Sequence, residues 1–249
     1  MSYAGRYSYI LGNNHLRELD ALSNDKKTHA IKALILISKF LGNYTQFKAK
    51  LSEYGIKMYR PDSLGAFLRI LNANNSDIMK WYNEATSKLR DNEALFTKFL
   101  LHSGLRTNEG IHSFDLIINL SKEGKLSEYY DTELNVLCHF KHPKTFIRRT
   151  KATYITFITP EFLSEIANSQ PLSYASIRKR LERNRMKLRF NELRDKFGTH
   201  LINNGILEME QNLVCGRIPV DIFIRHYWSP KLKELGNRIF KALETIDKQ

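Results

Sequence analysis

Apolar residues in the first third of the chain recur at the spacing of helices. Between Thr28 and Leu41 they form one apolar face, and further apolar residues widen it, which predicts a helix that is nearly surrounded by protein. Gly42 is placed to end this helix. Further short helices are predicted after capping residues, which are Asn43, either Asp62 or Ser63, and Ser76. These four helices predict a small N-terminal bundle.

A polar stretch, NEATSKLRDNE at residues 83–93, follows this bundle and precedes a new apolar stripe that begins at Leu95. The end of the stretch has little hydrophobic periodicity, so it predicts a hinge between two domains, residues 1–86 and 87–249. Gly104 is placed to interrupt the first helix of the second domain and to expose Leu105 and Arg106.

The pattern changes to that of strands between Glu133 and Thr159. Three runs rich in β-branched and aromatic residues predict strands, at residues 134–140, 145–149 and 152–158, and a tight turn at Thr150-Lys151 joins the last two. Helical signals resume at Pro160 and continue to the end. The predicted fold is mainly α, with an N-terminal helical bundle and a mixed α/β domain in which helices accompany a small three-stranded antiparallel sheet.

The last predicted helix covers residues 231–246. Its apolar positions recur at helical spacing and are Leu232, Leu235, Ile239 and Leu243. This spacing suits docking on a neighbouring subunit and suits folding back on its own domain equally well.

Composition points to a polyanionic partner. The 249 residues carry a formal net charge of +13, and nucleic acid is the leading candidate. The longest apolar run, AIKALILISKFLG from Ala30, contains two lysines and is too short to span a bilayer, so no membrane partner is expected. No secretory signal is visible, which predicts a cytoplasmic, DNA-associated protein.

The two cysteines, Cys138 and Cys215, stand far apart, and neither has a histidine at zinc-finger spacing. This argues against a disulfide framework or a zinc site, and both thiols are expected to be reduced packing residues. The sequence contains no tight Asp/Glu cluster suited to a pair of metal ions, so no metal or other cofactor is predicted.

Basic residues crowd the segment between Arg178 and Lys196, with few carboxylates to oppose them. Such an excess is typical of a surface that follows phosphates. The predicted DNA-contacting residues are basic side chains of this segment and of the hairpin: Arg178, Lys179, Arg180, Arg183, Arg185, Arg148 and Arg149.

Four segments hold residues suited to phosphoryl transfer: residues 103–110, 148–154, 191–201 and 215–228. Their key residues have ordinary interpretations when each is taken alone. Arg106 in SGLRTNEG is typical of a helix-terminal arginine paired with Glu109, and Lys151 is typical of an exposed turn lysine. Tyr227 in FIRHYWSP is typical of a packed tyrosine. Together they favour another interpretation, because a phenol attacks a phosphodiester only when cations neutralise the phosphate and favour loss of the phenolic proton.

The same segments resemble the motifs of the tyrosine recombinases. SGLRTNEG resembles the first arginine box, NELRDKFGTHLINNGI the second, and GRIPVDIFIRHY the element that carries the nucleophile, in the family's order and spacing. FIRRTKATY and GRIPVDIFIRHYW are similar to phrases of the archaeal virus and plasmid integrases. The motifs span residues 103–228, while the N-terminal helical part is similar only in general character.

The resemblance implies a role for each matching residue. Tyr227 would attack the scissile phosphate, Arg106 and Arg194 would clamp its non-bridging oxygens, and Lys151 would protonate the departing 5′ oxygen. Lys141 and Lys144 are rivals for the role of Lys151. Asn191 would occupy a position where the family usually has histidine. Arg217 would occupy a position where the family usually has histidine or tryptophan. Because Asn191 cannot act as a base, the proton of Tyr227 would pass to water, to His226 or to a second chain.

The function that this resemblance implies is site-specific recombination, most simply as the integrase of an archaeal mobile element. The protein would act as a tetramer on paired double-stranded attachment sites. A type IB topoisomerase, a chromosome-dimer resolution enzyme and a catalytically inactive DNA-binding relative remain alternatives. A basic helical protein that binds RNA is less favoured, because no RNA-binding aromatic motif lies on a predicted strand.

Overall fold

A computed structural model describes residues 2–12, 15–58, 64, 67, 75–148, 151–217 and 227–248. The chain divides into two compact units, residues 1–73 and 74–249. The structure thus places the boundary between units earlier than the predicted division between residues 86 and 87.

The first unit is helical in its described part. Its elements are α1 (Tyr3–Tyr7), 3-10 turns at Ser8–Leu11 and His15–Ala21, α2 (Asn24–Phe40) and α3 (Tyr44–Glu53). Its core consists of the buried residues Ile10, Leu16, Leu19, Ala30, Ile31, Leu34, Phe47, Leu51 and Ile56. The third predicted helix, after Asp62 or Ser63, falls largely outside the described residues.

Helix α2 ends where the sequence predicts, because Gly42 adopts a φ of +73°, which favours glycine. The expectation that protein surrounds α2 was wrong. Ile31 and Leu34 are buried, but Leu36 and Phe40 are 69% and 89% exposed. A helix buries only the face that packs against its neighbours, and Leu36 and Phe40 lie outside that face.

Helix α4 (Asn75–Lys88) belongs to the second unit, although the sequence placed it in the N-terminal bundle. Its residues Ile78, Met79, Trp81, Tyr82 and Ala85 join the core of that unit. The Trp81 Nε1–H donates a hydrogen bond to the carbonyl of Lys187 at 2.9 Å. The predicted hinge at 83–93 is therefore wrong: it is the end of α4 and the start of the next helix, and its polar residues include the solvent face of α4.

The second unit is mainly helical. Its further helices are α5 (Asp91–Ser103), α6 (Thr107–Lys122), α7 (Pro143–Phe146), α8 (Pro160–Ala167), α9 (Tyr174–Arg183), α10 (Phe190–Asn203), α11 (Glu208–Val214) and α12 (Leu232–Leu243). Gly104 ends α5 with a φ of +59°, as predicted. A Cβ at this position would lie 2.2 Å from the Phe197 ring, so glycine lets α10 approach the turn between α5 and α6. The expected exposure of Leu105 was wrong, because this side chain joins the core and is 2% exposed.

A small antiparallel sheet accompanies these helices. Its strands are β1 (Tyr130–Asp131), β2 (Val136–Cys138) and β5 (Ile155–Phe157), in the order β1-β2-β5. Strands β3 (Ile147–Arg148) and β4 (Lys151–Ala152) form a separate hairpin. A three-stranded antiparallel sheet is confirmed, but one of its strands was predicted wrongly. The second predicted strand, residues 145–149, contributes β3 of the separate hairpin. The start of that predicted strand belongs instead to helix α7, which begins at Pro143.

The C-terminal helix α12 folds back on its own unit. Its residues Leu235 and Ile239 are 1% exposed. The His200 Nε2–H donates to the carbonyl of Ala242 at 2.8 Å, which ties α12 to α10. Of the two arrangements that the sequence left open, the structure shows this one.

Both cysteines are free and buried, as the sequence predicts. Within the described ranges, no helix has the length and apolar character needed to cross a bilayer.

A buried histidine makes stability depend on pH. His139 is 0% exposed, and its ring nitrogens hydrogen-bond with the hydroxyls of Tyr129 at 2.7 Å and Thr156 at 2.8 Å. Burial, aided by the nearby His142, lowers the pKa of His139 to about 3. An unfolded histidine has a pKa of about 6.5, so the unfolded chain binds the extra proton as the pH falls below that value.

We therefore expect the buried neutral His139 to leave the free energy of unfolding unreduced above pH 6.5. As the pH falls from 6.5 toward 3, the free energy of unfolding should decrease. At pH 5.5 the loss due to His139 is about 1.4 kcal/mol relative to pH 8. Urea unfolding at both pH values measures it in the wild type and in His139→Asn. An equal fall in the variant would assign the effect to other groups.

Candidate active site

Arg194 on α10 connects the segments that the sequence singled out. It is 8% exposed, and its Nη1 and Nη2 donate to the carbonyls of Gly104 at 2.5 Å and Cys215 at 2.6 Å. Arg106 follows Gly104 by two residues, and Arg217 follows Cys215 by two. One guanidinium therefore draws together the two turns that lead into the other arginines.

The electrostatics of Arg194 reflect this convergence. Burial lowers the pKa of its guanidinium, and the positive charges of Arg106 and Arg217 act in the same direction. An arginine remains charged despite such a shift. The positive charges of Arg106 and Arg217 also favour binding of an anion beside Arg194, because an anion at this point would relieve the repulsion among the three side chains.

Arg106 is fixed by a buried carboxylate. Its Nη1 lies 2.8 Å from Oε1 of Glu109, which is 1% exposed, and Glu109 Oε2 accepts a hydrogen bond from the Arg106 backbone N–H at 3.3 Å. The pairing expected from the spacing of three residues is present. Arg106 itself retains partial exposure, with 23% of its side chain accessible.

The β3–β4 hairpin lies beside this pair. Arg148 Nη2 is 3.1 Å from Glu109 Oε1, and Thr153 Oγ1 donates to Glu109 Oε2 at 2.9 Å. Lys151 is exposed at the start of β4, and its Cα pairs across the hairpin with that of Arg148. Lys151 is thus a strand residue rather than a turn residue. Arg149 and Thr150 lie outside the described residues.

Gly216 seats the hairpin against the turn that carries Arg217. It has a φ of +67°, and a Cβ there would lie 2.0 Å from the carbonyl oxygen of Ala152. Only glycine permits this approach. Arg217 is exposed one residue later, so the turn brings the Lys151 hairpin and Arg217 to the same region.

Asn191 is exposed near the start of α10. Its Oδ1 accepts a hydrogen bond from Thr107 Oγ1 at 3.4 Å, which places it next to the residue that follows Arg106. An open groove of about 340 Å³ extends along α10 from the arginines. Its polar and charged lining residues are Arg194, Asp195, Thr199, Asn203, Gln211 and Arg217.

Tyr227 has 73% of its surface exposed, at a turn before α12. Tyr227 is therefore not a core residue, and most of its surface is accessible to a large partner. His226, the supporting residue next to it, lies outside the described residues.

The rival lysines occupy other elements. Lys141 is exposed in a 3-10 turn at His139–Lys141, and Lys144 is exposed in α7. Within the part of the chain that the structure describes, neither lysine forms a hydrogen bond or ion pair with Glu109 or with the arginines. Lys151 is distinguished from both by its direct pairing with Arg148, which contacts Glu109.

Some residues of the basic segment between Arg178 and Lys196 are exposed, and others form ion pairs within the fold. Lys179, Arg183 and Arg185 are exposed, and Arg178 pairs with exposed Glu182 at 2.7 Å. Arg180 differs, because its Nε lies 2.7 Å from buried Glu93 and only 28% of its side chain is accessible. This ion pair joins α9 to α5, so Arg180 holds the fold together as well as carrying charge.

Comparison with family models, with curated proteins and with solved structures finds no match. The family resemblance therefore depends on the motifs themselves. In the part of the chain that the structure describes, no group of three or more His, Cys, Asp or Glu side chains is placed to hold a metal ion.

The motifs do not reveal the contacts that organise the site. Gly104 and Thr153 lie within SGLRTNEG and FIRRTKATY, but nothing in these motifs indicates that the Gly104 and Cys215 carbonyls bind Arg194 or that the Thr153 hydroxyl binds Glu109. Glycine before each arginine turn, at Gly104 and Gly216, is the signal that could have indicated a close approach.

Proposed function

We propose that the chain is a site-specific DNA recombinase of the tyrosine type, an integrase that cuts and rejoins double-stranded DNA through a covalent 3′-phosphotyrosine. The observation that carries the proposal is the hydrogen bonding of Arg194 to both turns that present Arg106 and Arg217. The positive charges of Arg106 and Arg217 both act on the Arg194 guanidinium, and a phosphodiester is the polyanionic group that the charge and planar donors of three arginines fit.

The proposed reaction needs only these side chains. The oxygen of Tyr227 forms a bond to phosphorus while the bond from phosphorus to the 5′ oxygen breaks. Arg106, Arg194 and Arg217 stabilise the charge that develops on the phosphoryl oxygens, and Lys151 donates a proton to the departing oxygen. Arg217 acts as a clamp rather than a proton shuttle, because its charge is fixed. The phosphotyrosine conserves the bond energy, so rejoining requires no ATP.

The exposed basic residues of α9 and the loop after it support binding to the DNA backbone. Lys179, Arg183 and Arg185 face solvent there. Contacts with phosphates release counterions, so the affinity for DNA should fall steeply as salt rises.

Covalent trapping tests the proposal. Duplexes that the protein binds are selected from random-sequence DNA and rebuilt with a nick beside each phosphate in turn, so that cleavage frees a short fragment and rejoining fails. We expect wild-type protein to form a covalent band on a denaturing gel, in EDTA and without ATP. Tight duplex binding with no band at any nick position would favour a catalytically inactive DNA-binding relative.

One observation favours a type IB topoisomerase as a second candidate. In members of the recombinase family the last segment often packs on a neighbouring subunit, whereas α12 here packs on its own core through Leu235 and Ile239. A monomeric enzyme would relax supercoiled plasmid without joining two duplexes. Strand exchange between two labelled duplexes, together with a tetramer on gel filtration, would instead support the recombinase.

A further inference from the structure

Glu109 contacts two elements at once. Its Oε1 lies 2.8 Å from Arg106 Nη1 and 3.1 Å from Arg148 Nη2, and its Oε2 accepts from Thr153 Oγ1 at 2.9 Å. Arg106 is the N-cap residue before α6, whereas Arg148 lies in the β3–β4 hairpin and Thr153 directly follows it. A buried carboxylate therefore joins the hairpin to the arginine turn.

The contact with Glu109 stabilises the hairpin, because two positively charged residues of the hairpin lie opposite each other. Arg148 and Lys151 are direct cross-strand partners, and their side chains lie on the same face of a two-residue ladder. Like charges in that relation repel each other. Glu109 offsets the repulsion, since its buried carboxylate lies 3.1 Å from Arg148 Nη2.

The shared face also fixes the direction of Lys151. Because Arg148 reaches Glu109 beside Arg106, its cross-strand partner Lys151 projects from the face that is turned to the arginine cluster. The backbone of Ala152, the next residue of the strand, also contacts the Gly216 turn, where a Cβ would lie 2.0 Å from the Ala152 carbonyl oxygen. The strand that carries Lys151 is therefore held both by its pairing with β3 and by the Gly216 turn.

We propose that Arg148 and Thr153 are positioning residues that act through Glu109 to hold Lys151 at the departing 5′ oxygen. This inference rests on the proposed function. In the cleavage step the Tyr227 oxygen bonds to phosphorus, and the electron pair of the broken bond remains on the 5′ oxygen. The Lys151 ammonium gives that oxygen a proton and becomes an amine, while the phenolic proton passes to solvent.

A sulfur-substituted substrate isolates this role. A thiol has a pKa of about 8.5, so a 5′ thiolate leaves without the proton that an alkoxide needs. On ordinary DNA we expect Lys151→Ala to lose roughly 10²- to 10⁴-fold in cleavage rate, and Arg148→Gln and Thr153→Val to lose about ten- to a hundred-fold. On the same suicide duplex with a 5′-bridging sulfur, all three should cleave within about threefold of wild type.

Two further variants separate positioning from folding. Thr153→Ser keeps the hydroxyl that contacts Glu109, and it should restore cleavage of ordinary DNA. Arg238→Gln is the matched control, because Arg238 is 45% exposed beside the mostly buried Glu210, much as Arg148 is 46% exposed beside Glu109. It lies outside the site and should cleave both substrates at the wild-type rate.

The outcomes distinguish this inference from the proposed function. If the wild type forms an adduct but the losses in Arg148→Gln and Thr153→Val persist on the sulfur substrate, these residues do not act through Lys151 and the inference is overturned. If the wild type forms no adduct with either substrate, the proposed function fails and the inference fails with it.

Discussion

Tyr227→Phe is expected to bind DNA as the wild type does and to form no covalent adduct. The substitution removes the one oxygen that would bond to phosphorus. The side chain is 73% exposed, so the free energy of unfolding should change by about 1 kcal/mol or less. A suicide duplex on a denaturing gel measures the adduct, and fluorescence anisotropy measures the affinity.

Tyr9→Phe is a suitable control for this variant. Tyr9 is another exposed tyrosine, with 46% of its surface accessible, and it lies in the first unit. Its phenylalanine variant should give the wild-type yield of adduct. An adduct that survives in Tyr227→Phe would mean that a different side chain is the nucleophile.

Arg194→Ala is expected to abolish cleavage and to weaken the fold. Cleavage should fall by roughly 10³-fold or more, since the change removes a guanidinium from the phosphate and releases the turns that hold Arg106 and Arg217. The carbonyls of Gly104 and Cys215 lose their buried donor, which costs about 2 to 4 kcal/mol in the free energy of unfolding. Single-turnover cleavage and urea unfolding measure the two effects.

Arg194→Lys separates charge from geometry. A lysine keeps the positive charge but lacks the planar fork that reaches two carbonyls, so it should restore little of the cleavage. His139→Asn provides a destabilised protein that is altered away from the site, and it should cleave normally at pH 8. Wild-type cleavage by either Arg194 variant would remove this residue from the site.

Local sequence signals predicted the parts of the site that depend on neighbours along the chain. Glu109 stands three residues after Arg106, and this spacing alone predicted their ion pair. Gly42 and Gly104 were recognisable as helix ends, because left-handed backbone favours glycine. The apolar face of α12 was also predicted correctly, although its periodicity did not say which surface covers it.

Features that depend on tertiary approach could not be predicted in this way. Arg194 looked like part of a basic surface, but its partners are carbonyls that lie 90 and 21 residues away. Arg180 looked like a DNA contact, and its pairing with Glu93 spans 87 residues. Helix α4 was assigned to the wrong unit for the same reason, since periodicity identifies an apolar face and not the core that receives it.

We propose that Tyr227 attacks a phosphodiester bound by Arg106, Arg194 and Arg217. Digestion of the trapped adduct with trypsin and nuclease, followed by mass spectrometry of the nucleotide-bearing peptide, identifies the attacking side chain. We expect a 3′-nucleotide on the oxygen of Tyr227. A nucleotide on any other side chain, or adduct-free protein at every nick position of a tightly bound duplex, would show that Tyr227 is not the nucleophile.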